Sequence, residues 1–254
     1  MRCKTDSLRY FIEFSYHGKA YHGWQNQPNV ISVQAVLEKA LSTLLRDDIA
    51  VLGAGRTDAG VHAKQMFAHF DYTQELDTNK MLLRLNAFLP NDIMVKSLRS
   101  VVPEAHARFD ATERTYEYWV VREKNPFLYD FAHLVFRPIQ ISRMNEAANI
   151  MMEYSDFECF SKSNTDVKTF VCDIRVAFWK KRGEILVFTI SADRFLRNMV
   201  RAAVGTLLEI GLGKREVADI RTVIEGKDRS KAGVSVPAKG LYLTKVSYPE
   251  AIFK

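Results

Sequence analysis

Ser32-Val33-Gln34-Ala35-Val36-Leu37-Glu38-Lys39-Ala40-Leu41-Ser42-Thr43-Leu44-Leu45 places apolar side chains at 33, 36, 37, 40, 41, 44 and 45, the spacing of one helical face, behind a serine suited to the N-cap. Upstream, Leu8 to Tyr16 alternates with period two, so Tyr10, Ile12, Phe14 and Tyr16 share one face of a strand. Downstream, Ile49 to Leu52 reads as a short apolar strand entering a glycine-rich loop, and Met66, Ala68, Phe70 and Tyr72 alternate along another strand. A second helix is expected from Asn79 to Phe88, capped by Thr78, with Leu82, Leu85 and Leu89 turned inward and Pro90 stopping it; Ile93 to Leu98 then reads as a strand.

Strand, helix, strand, strand, helix, strand is the split βαβ order of ferredoxin-like and RNA-recognition folds. The second half approximates it again, with a strand at Thr115 to Arg122 and a helix at Ser142 to Glu153. A hairpin of Cys172 to Lys180 and Glu184 to Ala192 follows around Lys181-Arg182-Gly183, then helices at Phe195 to Ile210 and Glu216 to Glu225 and a strand at Leu241 to Ser247. The fold class expected is α+β: two related split-βαβ domains, residues 1–105 and 106–254, sharing a mainly antiparallel sheet.

Composition narrows the function. The 254 residues are 47% hydrophobic and 26% charged, and no apolar run nears the length a bilayer-spanning helix needs, so no membrane role is expected. Met1-Arg2-Cys3-Lys4-Thr5-Asp6 carries no apolar segment of the secretory kind, which makes the cytoplasm the expected compartment. Cys3, Cys159 and Cys172 are too far apart for a disulfide framework or a zinc ribbon, and the six histidines lack metal-site spacing, so no metal is expected. A formal charge of +6 points toward a polyanionic partner.

Chemistry concentrates in Gly53-Ala54-Gly55-Arg56-Thr57-Asp58-Ala59-Gly60-Val61-His62-Ala63, directly after a buried strand. Two phosphate motifs fail here. A P-loop needs Lys and Ser or Thr after Gly60, where Val61 and His62 stand, and a dinucleotide fingerprint needs a glycine at Asp58. No nucleotide cofactor is therefore expected. What remains is a tight loop presenting Arg56, Asp58 and His62, either as a reactive carboxylate with its neighbours or as a turn that Asp58 merely caps. In the second half Arg194, Arg197 and Arg201 fall at i, i+3 and i+7 on one side of the helix expected from Phe195, opposite Phe195, Met199, Ala202 and Thr206.

The loop resembles the catalytic signature of the tRNA pseudouridine synthase A family without a gap. Further segments similar to that family occur in order: Tyr21-His22-Gly23-Trp24-Gln25 with Val33-Gln34, then Asn86 to Ile93, and His106-Ala107-Arg108-Phe109-Asp110-Ala111 with Arg114-Thr115-Tyr116-Glu117-Tyr118. Phe195 to Arg201 and Gly240-Leu241-Tyr242-Leu243 complete the set. Two places depart from the pattern. Glu153 and Ser155 stand before Asp156-Phe157 where the family shows Gly and His, and Cys172 stands where Arg is expected.

The resemblance implies a pseudouridine synthase fold and isomerisation of uridine in the anticodon stem-loop of tRNA, at tRNA positions 38, 39 and 40, by a homodimer in which one tRNA contacts both subunits. It makes Asp58 the catalytic carboxylate, attacking the ribose C1′ or deprotonating the sugar to give a glycal, with the second domain completing the site. Arg201 matches the arginine paired with that carboxylate, Tyr116 the tyrosine acting on the uracil, and Arg56 the residue holding the nucleotide out of its stack. His62 and Arg197 are further candidates for substrate binding, His62 chiefly by fixing the loop, and Leu241 or Leu243 for packing under the base. Reactant and product are isomers, so no cofactor is implied. Two other readings compete: an RNA-binding module without catalysis, which has no reason to carry Asp58 and Arg201 together, and a phosphate-using α/β enzyme, which the failed motifs disfavour.

Overall fold

The structure, a computed structural model, describes residues 7–162 and 167–254, so Cys3 and the amino-terminal Met1–Asp6 segment lie outside the described residues. The chain groups into two compact units, Met1–Thr112 with Leu243–Lys254, and Glu113–Tyr242.

In unit 1 the elements are β1 (Leu8–Tyr16), α1 (Val33–Leu45), β2 (Leu52–Gly53), β3 (His62–Tyr72), α2 (Thr78–Phe88) and β4 (Ile93–Val101). The strands lie in the order β4-β1-β3, with β2 against β3, and every one of these pairs is antiparallel. That is the split βαβ arrangement expected from the element order. Helix α1 begins where the serine cap predicts, the Ser32 side chain accepting the Ala35 N–H at 3.1 Å. The cap of α2 is Asp77 rather than Thr78, because the Asp77 carboxylate reaches the Lys80 N–H at 3.0 Å.

The strand expected at Ile49 to Leu52 shrinks to Leu52–Gly53. Ile49 and Val51 are buried, but their backbone donors are taken by side chains of α1: Ile49 N–H by the Ser42 hydroxyl at 2.9 Å and Val51 N–H by Glu38 at 3.0 Å. With those N–H groups satisfied there is no ladder to extend.

Strand β1 buries more than the face its alternation predicts. Tyr10, Ile12, Phe14 and Tyr16 are buried, and so is Phe11 on the opposite face. The carboxy-terminal segment covers Phe11, with Tyr248 and Phe253 edge-on at 5.3 and 6.0 Å between ring centroids. Backbone bonds from Val102 N–H to Ile252 and from Lys254 N–H to Ser100 fix that segment to the end of β4. Contacts therefore group residues 243–254 with unit 1, where the expected division at 105/106 assigned them to the second domain.

Unit 2 contains β5 (Glu113–Val121), β6 (His133–Leu134), α3 (Ile141–Met151), β7 (Ile174–Arg182), β8 (Ile185–Ala192), α4 (Met199–Gly211) and α5 (Asp219–Glu225); β9 (Leu241–Ser247) begins there and runs into unit 1. Strands β5-β8-β7 are antiparallel neighbours, repeating the β1-β3-β2 pattern of unit 1, while the short β6 runs parallel to β5. The hairpin turn falls at Gly183-Glu184, with Gly183 at φ 59°. Among the described residues no helix is long and apolar enough to cross a membrane.

Helix α4 starts at Met199, not Phe195, because Asn198 sits in the left-handed region at φ 68° and breaks the helical path. The expected basic stripe is corrected with it. Arg194 and Arg197 precede the helix and only Arg201 lies on it, so the three do not share a helical face.

Buried in unit 1, His69 accepts the Ala107 N–H on Nδ1 at 3.1 Å and stacks on Phe11 at 6.1 Å. Burial, with Arg9 and His106 nearby, lowers its pKa from 6.5 to about 4. Below pH 6.5 the unfolded chain takes a proton that the folded one refuses, so His69 erodes stability as pH falls toward 4 and adds no further loss below it. After allowance for solvent screening the loss is on the order of 2 kcal/mol. Urea unfolding between pH 7.5 and 4.5 should show a shallower pH dependence for His69→Asn than for the wild type. Equal slopes would place the proton uptake elsewhere.

Candidate active site

The loop between β2 and β3 is held from one side by the segment after β1. Its amino end is tied to β3 by the Ala54 N–H to the Phe67 carbonyl at 2.8 Å. Thr57 is held twice, its carbonyl accepting the Trp24 N–H at 3.4 Å and its hydroxyl meeting the Tyr16 hydroxyl at 2.8 Å. The Gly60 N–H donates to the Tyr21 carbonyl at 3.3 Å, and Val61 N–H turns back to the Asp58 carbonyl at 3.2 Å. The bracing segment is anchored in turn: the Tyr21 hydroxyl donates to Asp92 at 2.7 Å and the His17 N–H to the Asp92 carbonyl at 2.9 Å. Burial and that bond to Asp92 push the Tyr21 hydroxyl's pKa well up, so it stays a donor.

Two glycines make the close approach possible. A Cβ on Gly18 would fall on the Val61 carbonyl, and one on Gly23, which adopts φ 89°, would fall on the Thr57 carbonyl. Gly18 also gives its N–H to His62 Nδ1 at 3.0 Å, which fixes His62 as the tautomer protonated on Nε2. The His62 ring is 2% exposed and stacks on His17 at 4.6 Å. On the loop it braces, Asp58 is half-buried and Arg56 exposed.

Unit 2 brings together another set. Tyr116 stands half-buried on β5 with Phe195 edge-on at 5.1 Å, and Tyr118, two residues on, is fully buried and donates to the Pro237 carbonyl at 2.9 Å. Burial raises the Tyr118 pKa, and the Arg201 charge acts against that rise. Arg201, in the first turn of α4, donates from Nε to the Val236 carbonyl at 2.8 Å, while the Val236 N–H returns to the Arg201 carbonyl at 3.2 Å. Asn198 Nδ2 and Arg229 both donate to the Ser235 hydroxyl at 2.7 Å, pinning the neighbouring residue of the same segment. Arg197 is exposed, its carbonyl accepting the Lys162 N–H at 3.0 Å. Leu241 and Leu243 are both buried, at 6% and 2% exposure.

Arg56 and Asp58 thus share one loop of unit 1 and His62 opens the strand that follows it, while Tyr116, Arg197 and Arg201 belong to unit 2. Sequence reasoning missed the Tyr16 hydroxyl, which alternation marks only as core, and the strap at Ser235 and Val236, which bears no periodic signal. Gly23 was visible inside Tyr21-His22-Gly23-Trp24-Gln25. The two departures from the family pattern prove to be neighbours, since the Cys172 N–H donates to the Ser155 carbonyl at 2.9 Å and Asp156 bridges to Val171. Cys172 is buried, its thiol pushed up to about 12 by desolvation.

A family model described as tRNA pseudouridine synthase matches residues 154–249. Relatives match nearly the whole chain. The tRNA pseudouridine synthase A of Bacteroides fragilis is 55% identical over 248 residues, covering 97% of this chain and 98% of that protein. The one from Bacteroides thetaiotaomicron is 57% identical over 248 residues, covering 96% and 92%, and that of a Thermoanaerobacter species 35% identical over 239 residues, covering 93% and 98%. The chain belongs to the tRNA pseudouridine synthase A family.

Replacing Gly23 by Ala should destabilise the protein by about 1–3 kcal/mol, from both its positive φ and the collision with Thr57. Gly55→Ala, on the same loop but with nothing within 4 Å of an added Cβ, should change stability by less than about 0.5 kcal/mol. Denaturant titrations of both variants test the difference, and similar values for the two would mean that the bracing segment does not constrain the loop.

Proposed function

We propose that Asp58 is the carboxylate with which this tRNA pseudouridine synthase isomerises uridine to pseudouridine, and that its targets are uridines in the anticodon stem-loop of tRNA, at tRNA positions 38, 39 and 40. The observation that carries the assignment is the loop itself. Asp58 stands half-buried on a backbone braced at Thr57 and Gly60, the residue before it and a residue two beyond. A carboxylate held in that way is positioned to meet a sugar carbon repeatedly in one geometry.

In the reaction the bond from ribose C1′ to uracil N1 breaks, the detached ring turns, and a bond from C1′ to C5 replaces it, while C5 gives up a proton and N1 takes one up. Asp58 opens the sequence either by adding to C1′ or by taking a sugar proton to give a glycal. Both routes require the ionised carboxylate. The atoms of uridine and pseudouridine are the same, so the chemistry calls for no metal, redox group or nucleotide.

Supporting roles are carried by the resemblance. Arg201 is the cation assigned to the reaction's carboxylate, Tyr116 the ring acting on the uracil, and Arg56 the residue holding the target nucleotide extruded, with Arg197 contributing to RNA binding. His62, 2% exposed, acts by fixing the loop through Gly18 rather than by touching the uridine. The net charge of +6 suits a polyanionic substrate. A homodimer working in the cytoplasm completes the reading.

Asp58→Asn keeps size and shape but removes the charge. Single-turnover tritium release from tRNA labelled at uridine C5 should fall to background while filter retention of tRNA persists, because affinity is spread over many phosphate contacts. If Asp58 only caps its loop, the variant loses about 1 kcal/mol of stability or less and little rate. Turnover above a small fraction of wild type, with deamidation excluded by mass spectrometry, refutes the assignment. Arg201→Ala should lower the rate far more than tRNA affinity, and Arg201→Lys should restore part of it, since the ammonium keeps the charge but not the planar fork. Near-normal turnover in Arg201→Ala would remove Arg201 from the reaction.

A further inference from the structure

The segment His106-Ala107-Arg108-Phe109-Asp110 follows β4 in unit 1, and the chemistry above makes no use of it. Its backbone is heavily held. His106 Nδ1 accepts the N–H of Arg108 at 3.1 Å and of Phe109 at 3.4 Å, and the Asp110 carboxylate accepts the His106 N–H at 2.7 Å. Underneath, the Ala107 N–H donates to His69, the Ala107 carbonyl accepts the Tyr248 hydroxyl, and the Ala105 carbonyl accepts Arg9 at 3.0 Å. Arg9 is itself fixed by two bonds to Asp71, at 2.7 and 2.8 Å.

On this mount stand two exposed side chains. Phe109 is 74% exposed, and the Arg108 guanidinium carbon lies over its ring at 5.6 Å from the centroid. The His106 imidazole also lies against the phenyl ring, tilted at 4.3 Å between centroids, and His69 backs His106 at 4.6 Å. Both imidazoles serve as acceptors, and burial lowers both pKa values, so they hold the turn as neutral groups.

A single exposed phenylalanine is ordinary on a protein surface. A single exposed phenylalanine whose ring is backed by an imidazole, and whose own N–H shares that imidazole's Nδ1 with the N–H of Arg108, is a preorganised plane. Among the described residues it is also the only large apolar side chain exposed between Met94 and Phe127 along the chain. One ring is too little for a protein interface, which takes about 800 Å² from each partner, but it matches the face of one base.

We infer that Phe109 is a stacking platform for an unpaired base of the tRNA, with Arg108 engaging the adjoining phosphate. The inference rests on the tRNA reading proposed above. A fixed ring loses little freedom when a base settles on it, and the Arg108 cation over the ring is near enough to meet the phosphate that accompanies every nucleotide.

The test uses the full chain, wild type and three variants, with tRNA binding by filter retention at several salt concentrations and thermal unfolding as a check of the fold. Phe109→Ala should unfold like the wild type yet bind tRNA about 5- to 100-fold more weakly, the range found when a stacking ring is removed. Phe109→Trp should bind within about threefold of wild type, and its added emission should be quenched by tRNA. Arg108→Ala should weaken binding and lower the log–log salt slope by about one, the signature of one lost phosphate contact. Wild-type affinity in Phe109→Ala overturns the platform, as does emission of Phe109→Trp that tRNA leaves unchanged. A Phe109→Ala variant that sediments differently but binds tRNA normally gives the ring to a second copy of the chain and also overturns it. An unaltered salt slope in Arg108→Ala overturns the phosphate contact. Failure of the wild-type protein to release tritium from labelled tRNA would instead bring down the underlying reading.

Discussion

Thr57 is gripped through both its carbonyl and its hydroxyl, by Trp24 N–H and the Tyr16 hydroxyl, and the glycine-rich loop of unit 1 depends on that grip. The residue after it is Asp58. A loop of this composition, with glycines at 53, 55 and 60, has large conformational freedom when left alone. Its ordering is supplied from outside, by a segment that approaches so closely that Gly18 and Gly23 tolerate no side chain. That segment is in turn tied through Tyr21 to Asp92 beside β4. The position of one carboxylate is therefore set by a chain of contacts that reaches across the sheet of unit 1.

Unit 2 solves the matching problem differently. Arg201 sits in the first turn of α4, where backbone N–H groups lack helical partners, and its side chain and main chain both bond to Val236. Asn198, in the left-handed region, ends the preceding turn and reaches the neighbouring Ser235. A helix running unbroken from Phe195 would have swept Arg197 and Arg201 onto one stripe. The kink separates them, leaving Arg197 exposed on the turn and Arg201 half-buried on the helix.

Elements whose periodicity expresses their burial were legible from the residues alone: β1, α1, β3 and β9 lie where alternation or helical spacing puts them. The errors fall where a side chain replaces a backbone partner. Ser42 and Glu38 take the donors that would have lengthened β2, and Asp77 outreaches Thr78 for the α2 cap. Asn198 is a third kind of case, since a residue's tolerance of positive φ does not announce itself inside an apolar run. For the site, the residues on the glycine-rich loop were visible as a group, as its composition is unlike anything around it. Tyr16 was read as core because its ring is buried, and nothing in a one-dimensional pattern says that its hydroxyl meets Thr57. The contacts of residues 243–254 with unit 1 were not legible for a similar reason, because Tyr248 and Phe253 are aromatic side chains in a short irregular stretch whose destination only three-dimensional packing defines.

That last packing has a consequence for the order of events at the ribosome. Unit 1 is discontinuous in the chain, since its strands β1 to β4 precede residue 113 and the segment that covers Phe11 follows residue 242. Translation delivers the amino-terminal part first, so during the synthesis of about half the protein the Phe11 and Phe67 rings face water on the side that Tyr248 will later occupy. Unit 2 is made as an insertion and is contiguous, so it can fold as it emerges. The nascent chain therefore leaves the Phe11 and Phe67 rings without Tyr248 for the interval in which unit 2 is made.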